Sequence, residues 1–280
     1  MAVISRVVAS LFLLTVSSLV SACAVTQAGP PTPLVKPMAE EFSAIQSVDP
    51  AARTPVQLRL ATAMLESGKA AAASKTYQAI LDREPSNVTA LMGLGDALLY
   101  SGSQDEAVDA YTKAVKADGK SALPRIGLGR ALIQMQQPEA ALQRFTEASA
   151  LDSADSRAKI GRGVALDLLG RHGEAISEYR AVLAGQPGNR AAANNLALSL
   201  ALNGQTAEAV RRLERLAQSA EAPLRVRQNL ALVLGLAGET ERAAMVARID
   251  QSPEDVASNQ RFLQLIRSLA PAPAKGGEQT

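Results

Sequence analysis

One cysteine, one histidine and no tryptophan occur in 280 residues. A lone thiol excludes an intrachain disulfide, so the folded state rests on packing. Cysteine and histidine present once each cannot make a metal site between them, and neither a metal nor a cofactor is expected. His172 stands in Gly170-Arg171-His172-Gly173, a turn sequence that places no nucleophile or orienting carboxylate predictably beside it. It reads as an exposed turn residue, and the chain does not read as an enzyme. Aromatic residues amount to 3%, which leaves few large anchors for a tight groove. Neither sign of charge prevails: 29 basic residues face 27 acidic ones, a net charge of +2, with no basic run and no basic cluster interleaved with aromatics. That balance argues against nucleic acid as the partner.

Repetition is what the chain has in plenty. Gly68, Gly102, Gly170, Gly204 and Gly238 fall in one register of 34 residues, with Gln136 in the remaining slot. Ala73, Ala107, Ala141, Ala175, Ala209 and Ala243 form a second register, and Tyr77, Tyr111, Phe145, Tyr179, Leu213 and Ala247 a third. A small turn residue, then an alanine, then an aromatic four residues on is the tetratricopeptide pattern, a helix-turn-helix unit that buries its apolar face by stacking on neighbours. The predicted fold is all-α, a tetratricopeptide-repeat superhelix of about six repeats with a C-terminal capping helix. The repeats run 54–87, 88–121, 122–155, 156–189, 190–223 and 224–257. Each opens with a first helix such as Ala90–Tyr100, turns at the glycine and returns in a second such as Asp105–Lys116. Ser103-Gln104-Asp105-Glu106 reads as a capping box and Pro138 as a first-turn proline. Pro85 and Pro187 mark the ends of two repeats. The capping helix is expected from Ser252-Pro253, carrying Val256, Phe262, Leu263, Leu265, Ile266 and Leu269, with 258–269 as its end and 270–280 a disordered tail. The aromatic register is expected in the core.

The first residues have a different character. Met1 and Arg6 lead into Val7–Val20, which carries no charge, and Val20-Ser21-Ala22-Cys23 follows. Residues 1–22 read as a secretory signal, too short and wrongly flanked for a spanning helix. The ending resembles a bacterial lipobox, in which the cysteine is lipidated, with Val20 where leucine is commoner; Ala22-Cys23-Ala24 also satisfies the small-x-small rule of ordinary cleavage. Cys23 being the chain's single cysteine favours lipidation, and Ala24 rather than aspartate after it points to the periplasmic face of the outer membrane, a soluble periplasmic protein being the alternative. Residues 23–53, with Pro30, Pro31, Pro33 and Pro37, read as a semi-extended tether. A short helix over Met38–Val48, stopped by Asp49-Pro50, is expected within it.

Candidate partner-binding residues lie where the first helices should face inward, on a concave surface. For the middle repeats these are Met92, Asp96, Tyr100, Ile126, Arg130, Ile133, Gln134, Arg157, Ile160 and Asp167, apolar area with single charges, as a helix or peptide groove requires. Gly93-Leu94-Gly95, Gly127-Leu128-Gly129 and Gly161-Arg162-Gly163 recur inside first helices and not after a strand, which argues against phosphate loops. Gly95, Gly129 and Gly163 are expected at close helix approaches. Gly93, Gly127 and Gly161 are expected on the inner face, either as a groove floor bare of side chains or as repeat drift. Asn195 and Asn229 continue that register, with Asn194 and Gln228 beside them. Amides offering donor and acceptor form either a ladder that grips a peptide backbone or a solvated polar face.

Residues 194–204, Asn-Asn-Leu-Ala-Leu-Ser-Leu-Ala-Leu-Asn-Gly, and 226–238, Val-Arg-Gln-Asn-Leu-Ala-Leu-Val-Leu-Gly-Leu-Ala-Gly, resemble the last repeats of the TadD-type tetratricopeptide lipoproteins of tight-adherence (Flp) pilus assembly. The lipobox-like start, the proline-rich tether and the short final helix fit that family in plan. The resemblance implies an outer-membrane lipoprotein, held by a lipid on Cys23, that acts as a pilotin-like scaffold and presents its groove to a secretin or another pilus-assembly component. The other reading of the same scaffold is a general envelope adaptor or chaperone in peptidoglycan synthesis or outer-membrane protein assembly.

Overall fold

A computed structural model describes residues 50–218, 223–252 and 254–261. Cys23, the signal segment, the tether up to Asp49 with its expected short helix, residues 262–269 of the expected capping helix and the tail 270–280 lie outside them. The described residues form helices joined by short turns, with no strand among them. None of these helices is long and apolar enough to cross a membrane.

The chain divides into two compact units, whose described parts are 50–161 and 162–261. The first unit holds α1 (Pro50–Glu66), α2 (Ala70–Leu81), α3 (Val88–Tyr100), α4 (Gln104–Ala117), α5 (Leu123–Gln134) and α6 (Pro138–Leu151). In α7 (Ser156–Leu168) the division falls after Gly161. The second unit continues with α8 (His172–Gly185), α9 (Arg190–Leu202), α10 (Thr206–Ala217), α11 (Leu224–Ala237), α12 (Thr240–Ala247) and a helical stretch α13 over 254–261. Helix α1 opens at Pro50, so the first repeat begins inside the stretch 23–53 expected as tether. Pro50 is the first residue of α1, where proline is tolerated.

The turn register is as expected. Gly102 has φ +82°, and its N–H bonds the Leu99 carbonyl while the Ser103 N–H bonds that of Leu98, at 3.2 and 2.9 Å. This is the Schellman closure, which needs a left-handed residue. Gln136 fills the same slot with φ +57° and the same pair of bonds, to Ile133 and Leu132. The helix starts differ from expectation. Ser103 makes no side-chain capping bond. The capping side chains stand in the register before the first helices: Asn87 and Asn189 accept from the N–H of Ala90 and Ala192 at 3.0 Å, and Asp155 accepts from that of Arg157 at 2.8 Å. Short polar side chains there satisfy N–H groups that have no partner within the helix. Pro138 opens α6 as expected.

In the first unit the core is built on rings seated against glycine. A Cβ on Gly95 would come within 2.7 Å of the Tyr111 ring, and one on Gly127 within 2.3 Å of the same ring. Phe145 sits likewise against Gly129 and Gly161, at 2.8 and 2.3 Å, and Tyr77 against Gly93 at 2.3 Å. Each glycine costs about 0.5–1 kcal/mol in a helix interior, whereas deleting a buried ring costs about 3–5 kcal/mol. The ring therefore decides the residue. In the second unit Gly163 seats Tyr179 from one side, and Leu196, Leu200, Leu213, Val233 and Leu234 fill the core. Val256 of α13 is buried, and Ser252 caps that helix by accepting from the Asp255 N–H at 3.2 Å.

Candidate functional site

In the first unit the expected groove residues separate into exposed and buried sets. Asp96 and Tyr100 lie one turn apart on α3, on one face. Arg130 of α5 donates from Nη1 to Asp96 Oδ1 at 3.1 Å, and the buried Tyr111 hydroxyl donates to the same oxygen at 2.7 Å. Burial foremost, with the Asp96 charge behind it, pushes the Tyr111 hydroxyl well above its ordinary pKa, so it stays a donor. Asp96 is thereby fixed from below and paired at its rim. Tyr100 is 60% exposed, while the repeat-register rings Tyr77, Tyr111 and Phe145 are buried.

Ile126 and Ile133, expected in the groove, are buried. Both belong to the apolar stripe of α5, whose width the inward positions alone do not reveal. Met92 is half-buried and packs on the core around Tyr77, and Ile160 and Gln134 are half-buried too. Arg157 is exposed but folded back on Asp155, with Nη2 at 2.6 Å from Oδ2. Burial would raise the Asp155 carboxyl, yet its Arg157 and backbone hydrogen bonds hold it below the usual range. Gly93, Gly127 and Gly161 form no bare floor, because each is covered by the ring of the preceding repeat.

The second unit holds what the turn position of His172 concealed. Asp167, 3% exposed near the end of α7, accepts three hydrogen bonds: from Ser199 Oγ at 2.5 Å, from the Tyr179 hydroxyl at 3.1 Å, and at His172 Nδ1 at 2.9 Å. His172 is therefore paired and 17% exposed at its side chain, not free in a turn. Burial raises the Asp167 carboxyl above its ordinary pKa, opposed by the hydrogen bonds from His172, Ser199 and Tyr179. Burial likewise keeps the Tyr179 hydroxyl protonated well above its ordinary range.

The asparagine ladder exists, but inside. Asn229 Nδ2 donates to Asn194 Oδ1 at 2.9 Å, and Asn194 Nδ2 to Asn195 Oδ1 at 3.3 Å. The Tyr179 hydroxyl, which has the Asn195 amide as a neighbour, donates to Asp167 at 3.1 Å. Asn194, Asn195 and Asn229 are all buried, and only Gln228 of that set is exposed. Each amide satisfies the next, so none is left to grip a peptide backbone. Asp167, expected in the groove, is buried as well.

Chemically, the cluster is a relay without a nucleophile. Ser199 donates to the carboxylate and not to the imidazole, so no serine–histidine pair forms, and its side chain is sealed from solvent. Among the described residues no group of three or more acidic, histidine or cysteine side chains is placed to hold a metal ion. A signal for the hub was present in the register: Asp167 stands where Leu99 and Ile133 stand in the two preceding repeats. A carboxylate at an apolar core position announces a buried polar network.

Comparison with known proteins returns the same architecture. The tetratricopeptide repeat family model matches residues 58–122, 126–190 and 174–224. No curated protein matches the chain. A tetratricopeptide repeat protein from Parabacteroides merdae superposes with a TM-score of 0.66 at 16% identity, covering 81% of this chain and 90% of its own. PilW, a widely conserved type IV pilus biogenesis factor, does so with a TM-score of 0.66 at 18% identity, covering 78% and 100%. The MamA protein reaches a TM-score of 0.50 at 25% identity over 62% of this chain and 99% of its own. At such identities the likeness to the first two is one of fold.

Proposed function

The chain belongs to the tetratricopeptide-repeat family, a fold of protein–protein interaction, and from that premise we propose that it is a lipid-anchored envelope scaffold of pilus assembly. Cys23 carries the lipid, the proline-rich tether stands the repeats off the outer membrane, and a secretin or another component of a tight-adherence pilus docks on the repeats. The lipobox-like Val20-Ser21-Ala22-Cys23 and the texture of residues 194–204 and 226–238 support the address and the system.

The observation that carries the docking surface is Tyr100. It is the exposed tyrosine of the first unit, one helical turn from an Asp96 carboxylate held by Arg130 and Tyr111. An aromatic with a polar tip beside an oriented, partly exposed ion pair is the composition of an interface hot spot. The asparagines leave the surface reading, since they are spent inside.

Full-length protein, captured from detergent-solubilised envelopes and analysed by mass spectrometry, tests this directly. Co-purification of a secretin with the wild type, and its loss with Tyr100→Ala/Arg130→Ala, is the expected result. Recovery of murein synthases or outer-membrane assembly factors in place of pilus components overturns the pilus assignment in favour of a general envelope adaptor. Equal recovery by the variant moves the docking surface elsewhere.

A further inference from the structure

Helix α3 has a second face. Leu91, Leu94 and Leu98 lie on nearly the opposite side of it from Asp96 and Tyr100. They form the floor of a cleft of about 460 Å³, walled by Gln78 and Leu81 of α2, by Pro85, and by Glu106, Asp109, Ala110 and Lys113 of α4. Leu81, Leu91 and Ala110 are buried at its base, while Leu94 and Leu98 are part-exposed. Glu106, Asp109 and Lys113 stand exposed along the rim, and none of them makes an ion pair among the described residues.

The next repeat fills the equivalent positions with different residues. In that repeat Leu91, Ala110 and Lys113 are replaced by Arg125, Arg144 and Glu147. These three pair with one another: Arg125 Nε lies 3.6 Å and Arg144 Nη1 3.0 Å from Glu147 Oε2, and the Arg125 side chain is 14% exposed. Leu128 and Leu132, in register with Leu94 and Leu98, are buried here, as expected where long charged stems with paired heads cover apolar surface. In the cleft repeat leucine replaces one arm of this lid, alanine the second, and lysine replaces the carboxylate that would join them. Thus Leu94 and Leu98 are part-exposed, and the two carboxylates on the rim make no ion pair among the described residues.

We propose that this cleft is a second docking surface, and that its occupant is a basic amphipathic helix of a partner protein. The floor leucines run i, i+3, i+7, about 10 Å along α3, which matches two turns of a partner helix laying its apolar stripe into the groove. Glu106 and Asp109, one turn apart on α4, face the flank of such a helix and select lysine or arginine there. Lys113 at the far end disfavours a cation at that position and so orients the helix. The site is independent of the Tyr100 surface and goes beyond the function proposed above.

The test uses the full-length protein and two fluorescein-labelled helical peptides of about 18 residues, one of leucine and lysine, the other of leucine and glutamate. Anisotropy titration should show the lysine peptide binding about tenfold tighter or better. Leu91→Arg/Lys113→Glu copies two of the three lid residues of the next repeat and should weaken that binding about tenfold, although it makes the protein more acidic. Glu106→Lys/Asp109→Lys leaves the core untouched and should reverse the preference between the two peptides. Equal binding of both peptides, or unchanged binding by both variants, overturns the proposal. So does a wild-type dimer in sedimentation that Leu91→Arg/Lys113→Glu converts to monomer, because the occupant would then be a second copy of the chain.

Discussion

Residues 50–161 and 162–261 follow one period of 34 residues and close their cores by opposite means. In the first unit the rings of Tyr111 and Phe145 press on Gly127 and Gly161. In the second, the residue in that register is Asn195, a buried amide that accepts from Asn194, while the Tyr179 hydroxyl donates to Asp167. Leu99 and Ile133 of the first unit become Asp167 in the second, and the buried alanines Ala97 and Ala131 become Ser199. Shape complementarity needs no partner bookkeeping, whereas a buried polar set is stable only when every member is satisfied. The period therefore specifies where side chains meet, while the chemistry of the meeting is free to change from repeat to repeat.

The largest effect should come from forcing the second unit towards the first. Asp167→Leu installs the residue the period prescribes and leaves the buried Ser199 and Tyr179 hydroxyls without an acceptor, at about 1–3 kcal/mol each. A loss of about 2–5 kcal/mol in urea unfolding is expected. Adding Tyr179→Phe and Ser199→Ala, which complete the set seen one repeat earlier as Phe145 and Ala165, removes both orphans and should recover most of that loss. A triple variant as unstable as the single one would show that the network is not what the single change broke.

A smaller effect should follow from the reverse transplant. Gly127→Asn copies Asn195 into the first unit, where its Cβ would meet the Tyr111 ring at 2.3 Å. Overpacking of this kind costs about 1–3 kcal/mol, read as a lowered urea midpoint. If the midpoint did not move, the ring would have room to shift, and the contrast between shape and hydrogen bonding would lose its basis.

Architecture was legible because like residues recur at like places. The turn glycines, with Gln136 among them, and the buried rings stand where the registers put them. The facing of a position was less legible. Whether Gly93 or Asn195 points outward depends on the rotation of one helix against the next, which a period of 34 does not contain. The result was that ring seats were expected on the inner face, as groove floor or repeat drift, and an internal amide chain as a peptide grip or a solvated polar face. Ser103 shows the same limit at short range, since a capping sequence forms its bonds only if the backbone at the cap permits. Asp167, by contrast, could have been found: a lone carboxylate following Leu65, Leu99 and Ile133 in one register is a departure from the period itself. The exposed Tyr100 and the open cleft beside Leu94 are legible only when each repeat is compared with its neighbour.

The smallest effect separates the units by the sign of a pH dependence. Burial raises the Asp167 carboxyl, so as pH rises past about 4 the unfolded chain loses this proton before the folded one does. The folded state then binds more protons, and stability contributed at this site falls with rising pH through the window up to the raised folded value. In the first unit Asp155 is lowered, its Arg157 and backbone hydrogen bonds outweighing burial. Its contribution is present above the ordinary carboxyl range and is lost as pH falls through the depressed folded value. Urea midpoints of wild type, Asp167→Asn and Asp155→Asn between about pH 3 and 6 resolve the two slopes. The advantage of wild type over Asp167→Asn should shrink as pH rises, and that over Asp155→Asn should grow and then level off. Slopes of the same sign would mean that three hydrogen bonds outweigh burial at Asp167, and that the second unit holds a carboxylate as comfortably as the surface of the first.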